Sequence, residues 1–228
     1  MLESLAMHPE EIILASNSPR RRELLALTGL KFTTYPVDID ETPREDEEPE
    51  TYVMRISEEK ALRAAEMNAK FGLLISADTI VVDRNKIIGK PGDEEQAREI
   101  LRGLRGHAHV VHTALIVYNL STLSMEKECC RSRVPMRTYS DDEIEAYIRS
   151  GDPMDKAGAY AVQHAGFHPV ENFQGCFASV MGFPLCHLKR ALKRMSFDLE
   201  MDIATVCQDY LKYPCPIHAL VLAGHTIG

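Results

Sequence analysis

Residues 73–82 have the sequence Leu-Leu-Ile-Ser-Ala-Asp-Thr-Ile-Val-Val. An apolar run of this length is typical of a strand that is buried on both faces. The turn-forming residues 83–86 follow and lead into Ile87-Ile88, so the pattern predicts a β-hairpin. Asp78 interrupts the run, and a carboxylate is costly to bury without a partner. Either the strand ends near Asp78, which then caps a turn, or the carboxylate serves a metal ion or a reacting water.

Strand and helix signals alternate on both sides of this run, which predicts an α/β or α+β chain. Ser18-Pro19 marks the start of a helix, and capping-box patterns begin at Asp93 and Ser140. Further strands are predicted at residues 11–15, 107–118, 125–137 and 176–181, and further helices at residues 51–69 and 184–195 and within an amphipathic stretch at about 198–211. Because no Gly/Ser linker divides the chain, we expect one compact unit.

The composition is that of an acidic globular protein. The chain has 228 residues, 45% hydrophobic and 26% charged, with a formal net charge of −8. These values exclude a disordered or fibrous chain and disfavour non-specific nucleic-acid binding, which requires clustered Lys and Arg. No apolar run approaches the ~18 residues of a membrane span, and residues 1–11 lack a secretory-signal pattern. The six cysteines form no C-x-x-C pair, so we expect a cytoplasmic protein with reduced thiols.

The turn Ser16-Asn17-Ser18-Pro19 is followed by three arginines, Arg20 to Arg22, in the first turn of the predicted helix. The first backbone N–H groups of a helix have no internal partner and attract anions. Arginines are unfavourable at this end of a helix unless they reach forward to a phosphate. The stretch therefore indicates either an anion site or a capped helix with solvated arginines.

Three lysines lie in segments that each allow two interpretations. Lys60 shares a helical face with Ile56 and either snorkels to solvent or reaches a buried anion. Lys156 either approaches a ligand beside Gly158 or forms a surface ion pair with Asp155. Lys90 is held in the turn Gly89-Lys90-Pro91, which by itself is an ordinary turn.

Three histidines, His107, His109 and His112, fall within one predicted strand. His107 and His109 share a face, whereas His112 points to the other face. Zinc requires three or four convergent ligands, so polar strand residues are favoured over a metal cluster. The sequence also contains neither a Walker-type phosphate loop nor a G-x-S-x-G nucleophile elbow.

Taken in chain order, these segments resemble the Maf family of nucleoside triphosphate pyrophosphatases. The resemblance covers about residues 11–194. It rests on Ile13-Leu14-Ala15-Ser16 through Arg21, Glu59-Lys60-Ala61, Ala77-Asp78-Thr79-Ile80-Val81, Gly89-Lys90-Pro91, His109 with Thr113, Asp155-Lys156-Ala157-Gly158-Ala159-Tyr160 with Gln163, and Gly182-Phe183-Pro184. Each motif alone is weak, whereas the ordered set is highly specific.

The resemblance implies an inosine-triphosphatase-like α/β fold, in which helices flank a mixed sheet and a cleft separates two lobes. The expected domain spans residues 1–195, and residues 196–228 form a C-terminal extension of unknown role. The implied reaction splits a nucleoside triphosphate into the monophosphate and pyrophosphate with a divalent cation, Mg²⁺ or Mn²⁺. A cytoplasmic homodimer is expected, with a nucleotide substrate and with neither nucleic acid nor a membrane as a partner.

The resemblance also implies roles for the matching residues. Asp78 is expected to be the general base or, alternatively, a metal ligand, with Glu41 as a further metal candidate. The expected substrate-binding residues are Ser16, Arg21, Lys60, Lys90 and Lys156. Arg20, Thr79 and Gln163 are tied to base choice and match the branch that acts on dTTP and UTP rather than on methylated GTP.

Two other functions compete with this hypothesis. One is a nucleotide-binding or cell-division-linked interaction protein that binds without turnover, and the other is a phosphohydrolase that releases phosphate. The intact set of Asp78, Lys60, Lys90 and Arg21 counts against a binding protein, which would be free to lose the carboxylate. The leading hypothesis is therefore an enzyme that removes non-canonical or excess nucleotides.

Overall fold

The computed structural model describes residues 11–68 and 72–227, without the side chain of Asn68. Its strands are β1 Ile12–Leu14, β2 Thr33–Thr34, β3 Leu73–Asp83, β4 Lys86–Ile88, β5 Ala108–Asn119 and β6 Ser124–Pro135. Its α-helices are α1 Pro19–Ala26, α2 Pro49–Asn68, α3 Glu94–Leu104, α4 Asp141–Arg149, α5 Phe177–Val180, α6 Leu185–Arg194, α7 Ile203–Leu211 and α8 His218–Leu222. The 3₁₀ helices Asp152–Asp155 and Ala157–Ala159 follow α4. Two predictions fall outside the described residues. One is the absence of a secretory signal, which concerns residues 1–10, and the other is the end of a helix at Ala69.

The strands form a mixed sheet in the order β2-β1-β3-β5-β6. β1 is parallel to β2 and β3, whereas β5 is antiparallel to β3 and β6. On the edge opposite β5, β3 pairs first with β1, over Leu73–Ile75, and then with β4, over Val81–Asp83. Among the described residues, no strand pairs with residues 76–80 on that edge. The sheet is therefore open beside the middle of β3.

Helices cover both faces of the sheet. Successive strand residues point to opposite faces, so strands that are apolar throughout need helices on both sides. Ile13 and Leu74 pack with α2 on one face, whereas their neighbours Leu14 and Ile75 pack with α1 and α6 on the other. The predicted α/β class, with a mixed sheet and flanking helices, is confirmed. In the described part of the chain, no helix has the length and apolar character needed to cross a membrane.

Most predicted elements are present, but the predicted strand at residues 176–181 is wrong. The β3–β4 hairpin is formed, and Ser140 and Glu143 make the predicted capping box. In place of the strand, α5 begins after Cys176, and its backbone folds back so that the Met181 N–H donates to the carbonyl of Phe177 at 3.0 Å. A short apolar run does not by itself distinguish a buried strand from a buried helical turn.

The C-terminal extension packs on α6 of the same chain. The Arg190 guanidinium is 9% exposed and donates to the Glu128 carboxylate at 2.8 Å, to the Val221 carbonyl at 3.1 Å and to the His225 carbonyl at 2.6 Å. Arg194 also binds Glu128, at 2.6 Å. One buried arginine therefore joins a sheet carboxylate to the end of the extension. The domain boundary at residue 195 stays a prediction.

Replacing Arg190 by Leu is expected to destabilise the protein by about 3 kcal/mol, the low end for breaking a buried ion pair, because Arg194 still binds Glu128. The free energy of unfolding, measured in urea, checks this value. Arg63→Leu is the matched control, because its pair with Glu66 is 50% and 67% exposed. The control should change stability by less than about 0.5 kcal/mol. Equal losses in the two variants would contradict the anchoring role of Arg190.

Candidate active site

The opening beside residues 76–80 of β3 leads into a cleft of about 680 Å³. This volume lies within the range typical of small-molecule sites. The β1–α1 turn contributes to the lining, as do the loop after β4 and the segment after α4. Every site residue predicted from the sequence lines this cleft: Ser16, Arg20, Arg21, Glu41, Lys60, Asp78, Thr79, Lys90, Lys156 and Gln163.

The β1–α1 turn presents a helix N-terminus to the cleft. The Ser18 hydroxyl caps α1 by accepting from the Arg21 N–H at 3.5 Å, with Pro19 in the first helical position. The Ser16 hydroxyl accepts from the Ser18 N–H at 3.2 Å. The helix is thus capped as predicted, and its partial positive charge faces the cleft. Arg20 and Arg21 line the cleft, whereas Arg22 is exposed and does not. The interpretation as solvated arginines therefore holds for Arg22 alone among the three.

Asp78 lies in the interior of β3, which continues to Asp83, so the strand does not end at this carboxylate. The Asp78 side chain is 13% exposed and accepts a hydrogen bond from the Lys60 ammonium at 2.7 Å. The same ammonium lies 2.7 Å from the Glu41 carboxylate. Lys60 therefore reaches anionic partners instead of snorkelling to solvent.

Packing of α2 on β3 aligns Lys60 with Asp78. The Ser76 hydroxyl donates to the Ser57 carbonyl at 2.6 Å. Lys60 follows Ser57 by nearly one helical turn, and Asp78 follows Ser76 on the same face of the strand. The two contacts are therefore consecutive rungs of one helix–strand interface.

Arg21 turns into the cleft, where its Nη1 donates to the Ser16 hydroxyl at 3.4 Å and three further neighbours hold it. Its Nε donates to the Gly182 carbonyl at 3.1 Å, and its Nη2 donates to the Thr79 hydroxyl at 3.3 Å. Nη2 also lies 4.0 Å from the Asp78 carboxylate. Burial lowers the pKa of Arg21 from its usual value, and the charge of Asp78 opposes this shift. Because a guanidinium stays protonated in proteins, the cleft holds a fixed, partly buried positive charge.

Thr113 and Gly182 support this arrangement, although the sequence did not assign them a role in the site. Thr113 lies opposite Thr79 in the β3–β5 register, with the two hydroxyls 3.0 Å apart. The Thr113 hydroxyl donates to the Ser179 carbonyl at 2.8 Å. Gly182 has φ +104°, and an added Cβ would lie 3.2 Å from the Thr79 hydroxyl. Both residues stand in the quoted motifs, but the Thr113 contact follows only from the strand register, and the Gly182 contact only from the packing of the turn after α5 beside α1.

Lys156 lines the cleft and is 7% exposed, and it also forms the predicted pair with Asp155, whose side chain is 68% exposed. Its ammonium binds the carboxylates of Asp155 at 2.6 Å and Asp152 at 2.9 Å. The Gly158 N–H donates to the Gly89 carbonyl at 3.1 Å. This bond holds the loop with the exposed Lys90 beside the Lys156 segment.

Two of the three histidines considered as metal ligands have protein partners in the structure. His109 is buried, and its Nε2 lies 2.8 Å from the Tyr160 hydroxyl, whereas His107 pairs with Asp83 at 2.9 Å. Burial lowers the pKa of His109 to about 4, so the ring is neutral at pH 7. Tyr160 lines the cleft, and His109 therefore supports its wall from within the sheet.

The positions expected to select the base lie around the same cleft. Thr79 is hydrogen-bonded to Arg21, whereas Gln163 is exposed at the end of the Lys156 segment. Arg20 lies near enough to Asp155 for its charge to contribute to the lowered pKa of that carboxyl, behind the larger contribution of Lys156. A nucleotide that spans the cleft would thus meet side chains from both walls.

The donors in the cleft fit a divalent cation that is shared with phosphate. Within residues 11–68 and 72–227, no group of three or more His, Cys, Asp and Glu side chains could hold a metal. Asp78 and Glu41, however, both contact the Lys60 ammonium and offer hard oxygen donors. Mg²⁺ in nucleotide sites commonly takes one or two carboxylates and completes its coordination with substrate phosphates and water.

The chain was compared with solved structures. It aligns to a nucleoside-triphosphatase / dITP/XTP pyrophosphatase from Mycobacterium abscessus with TM-score 0.37 and 14% identity, covering 55% of this chain and 74% of that one. It aligns to the Ham1 protein of Staphylococcus aureus with TM-score 0.41 and 13% identity, covering 89% and 98%. Likenesses this low carry no argument, so the fold rests on the strand order given above.

Comparison of sequences gives a closer relation. A dTTP/UTP pyrophosphatase from Citrifermentans bemidjiense is 41% identical over 187 residues, which are 82% of this chain and 96% of the relative. A dTTP/UTP pyrophosphatase from Caldicellulosiruptor saccharolyticus is 40% identical over 193 residues, which are 83% and 97% of the two chains. The family model described as Maf-like protein matches residues 11–195, which include every cleft residue named above. By this match, the chain belongs to the Maf-like protein family.

Proposed function

We propose that this protein is a nucleoside triphosphate pyrophosphatase that hydrolyses dTTP and UTP, or modified pyrimidine nucleotides, to the monophosphate and pyrophosphate. The observation that carries the proposal is the position of Asp78, between Lys60 and Arg21 at the open edge of β3. The activity named for relatives that are about 40% identical supports the choice of substrate. The role of the proposed enzyme would be to remove non-canonical nucleotides.

The basic residues of the cleft bind the triphosphate in this proposal. Arg21 and Lys60 lie beside Asp78, and Lys90 and Lys156 approach from the other wall. Ser16 and the first N–H groups of α1 add hydrogen-bond donors that suit phosphate oxygens. Phosphoryl transfer is catalysed mainly by positioning and by neutralising charge on the phosphoryl oxygens, which these cations would do.

Asp78 accepts the proton of the attacking water. Water attacks the α-phosphorus, the bond to the bridging oxygen breaks, and pyrophosphate leaves in line. Lys60 holds the carboxylate by its hydrogen bond at 2.7 Å, so the base is oriented before substrate binds. A divalent cation held by Asp78 and Glu41 with the phosphates would supply further charge neutralisation. The alternative is that Asp78 only binds the cation and does not accept the proton. The proposed reaction and its products are the same in that case.

The remaining features of the proposal come from the family resemblance. They are Mg²⁺ or Mn²⁺ as the cation, a homodimer as the assembly and the cytoplasm as the location. The paired carboxylates of Asp78 and Glu41 support the choice of a hard cation. The homodimer and the location stay predictions.

A panel of nucleoside triphosphates assayed with Mg²⁺ or Mn²⁺ tests the reaction. We expect pyrophosphate, and not phosphate, from dTTP and UTP, and we expect a chelator to abolish turnover because charge neutralisation is lost. The two products are quantified separately. Phosphate as the first product would overturn the reaction, and a preference for purine or methylated nucleotides would overturn the substrate. Binding without any product would favour a non-catalytic protein.

Asp78→Asn is expected to lower kcat by about 10²- to 10⁴-fold, because the amide cannot accept the proton. Nucleotide binding, measured by calorimetry, should remain within a few fold. Asp83→Asn is a matched control, since this residue lies on the same strand with a 15% exposed side chain but pairs with His107 outside the cleft. The control should keep near-normal kcat. Loss of the fold in Asp78→Asn would instead assign the carboxylate a structural role.

Substitution of Arg20 or Gln163 by Ala is expected to change base preference more than maximal rate. The ratio of kcat/KM for UTP to that for GTP should fall by about 10- to 100-fold, because each side chain would hydrogen-bond the pyrimidine. Arg22→Ala is the control, because Arg22 is exposed and lies outside the cleft lining. Equal loss on every nucleotide would contradict the specificity role.

A further inference from the structure

Four cysteines surround a small cavity on the side of the sheet that carries α6. Cys176 and Cys186 come from the α5–α6 region, whereas Cys207 and Cys215 come from the C-terminal extension. None of these residues lines the nucleotide cleft. All four are free thiols. The extension therefore brings thiols from two distant parts of the chain to one place.

The segment around Cys215 is docked by specific contacts. The Tyr213 hydroxyl donates to the Phe173 carbonyl at 3.1 Å, and the Tyr213 ring lies 5.3 Å from the Phe177 ring. The Cys215 N–H donates to the Gln208 side chain at 2.9 Å. These contacts fix the segment against residues 173–177, with Cys176 in the middle of that stretch.

Cys215 and Cys176 face each other at this contact. The Cys215 thiol lies 4.0 Å from the carbonyl of Gly175, the residue before Cys176, and both cysteines line the same small cavity. Cys176 is 6% exposed, and Cys130 behind it has no exposed surface, whereas Cys215 is half-buried. Cys215 is therefore the member of this group that a dissolved oxidant reaches first.

The environment distinguishes Cys215 from the other thiols. The hydrogen bond from Cys176 lowers the pKa of Cys215 to about 6, with help from the backbone N–H groups of residues 217 and 218. Burial raises the pKa of Cys129, Cys186 and Cys207 to about 12. A hydrogen bond from Cys176 also lowers the pKa of Cys130, but Cys130 has no exposed surface for an oxidant to reach. Because the thiolate is the reactive form, oxidation should begin at Cys215.

We propose that Cys215 and Cys176 form an oxidisable pair, in which Cys215 is the thiol that peroxide oxidises first and Cys176 is the resolving thiol. The Cys215 thiolate attacks hydrogen peroxide, the O–O bond breaks, and a sulfenic acid and water form after proton transfer. The Cys176 thiol then attacks the sulfenic sulfur, a second water leaves, and an S–S bond remains. Two thiols are oxidised by two electrons, and one peroxide is reduced to two waters.

The disulfide would tie the extension covalently to α5. This bond would restrict the unfolded chain and so raise thermal stability. Because α5 lies on the face of the sheet opposite α2, the pair stands apart from the Lys60–Asp78 contact. The inference does not depend on the proposed nucleotide hydrolysis.

The full-length protein is treated with one equivalent of hydrogen peroxide, blocked with a maleimide, digested without reductant and mapped by mass spectrometry. We expect a linked peptide that contains Cys176 and Cys215, lighter by two hydrogen atoms than the sum of its parts and cleaved by dithiothreitol. The oxidised protein should also melt at a higher temperature until it is reduced. A Cys130–Cys176 link, or no link, would overturn the proposal.

Cysteine variants distinguish the thiol that is oxidised first from the resolving thiol. This test does not depend on a change in melting temperature. Cys176→Ser should stop at a sulfenic acid on Cys215 that dimedone traps, whereas Cys215→Ser should give neither adduct nor link. Cys129→Ser is the matched control, since Cys129 is also half-buried but has a raised pKa, and it should form the link at the rate of the unmodified protein. Dimedone labelling of Cys129 at the same rate as Cys215 would contradict the assignment of the attacked thiol.

Discussion

The contact between the Lys60 ammonium and the Asp78 carboxylate, 2.7 Å long, is the interaction on which the site depends. A carboxylate in an apolar strand requires a partner, and α2 supplies one from the neighbouring layer. The partner reaches Asp78 because α2 packs on the face of β3 that carries Ser76 and Asp78. Among the described residues, no strand pairs with residues 76–80 on the edge opposite β5, and the cleft opens there beside this ion pair.

The architecture keeps this gap open by assigning different partners to the two ends of β3. β1 enters in parallel and leaves after Leu14 into the turn that caps α1. β4 returns from the hairpin and pairs beyond the gap. The walls of the cleft are therefore loops and a helix start, whereas its floor is a central strand buried between two helical layers. A rigid floor with loop walls suits the precise placement of charged groups.

Five basic side chains and four carboxylates line the cleft, so its positive charge is only partly balanced. Lys156 contacts Asp152 and Asp155, whereas Lys60 is shared by Asp78 and Glu41. Arg21 is held mainly by neutral oxygens of Gly182, Thr79 and Ser16. A guanidinium bound to neutral acceptors retains its full charge for an incoming anion. This arrangement gives an acidic chain, with net charge −8, a locally basic cleft.

The sequence by itself determined most of the elements and the chemistry of the candidate residues. Apolar periodicity and capping residues are local signals, so β3, the β3–β4 hairpin, α1 and α4 were predictable. The ordered motifs also singled out the side chains that line the cleft. The short helix α5 was wrongly predicted as a strand. A short apolar run fits both a buried strand and a buried helical turn, so its pattern does not distinguish them.

Only the tertiary structure decided which partners these residues have. Lys60 and Asp78 are 18 positions apart, and nothing in the pattern of α2 states which strand its lysine will face. The support of Thr79 by Thr113 depends on strand register, and the position of Cys215 beside Gly175 and Cys176 depends on how the extension docks. Local sequence fixes dihedral preferences and polarity, whereas contacts between distant residues depend on packing that all layers determine together.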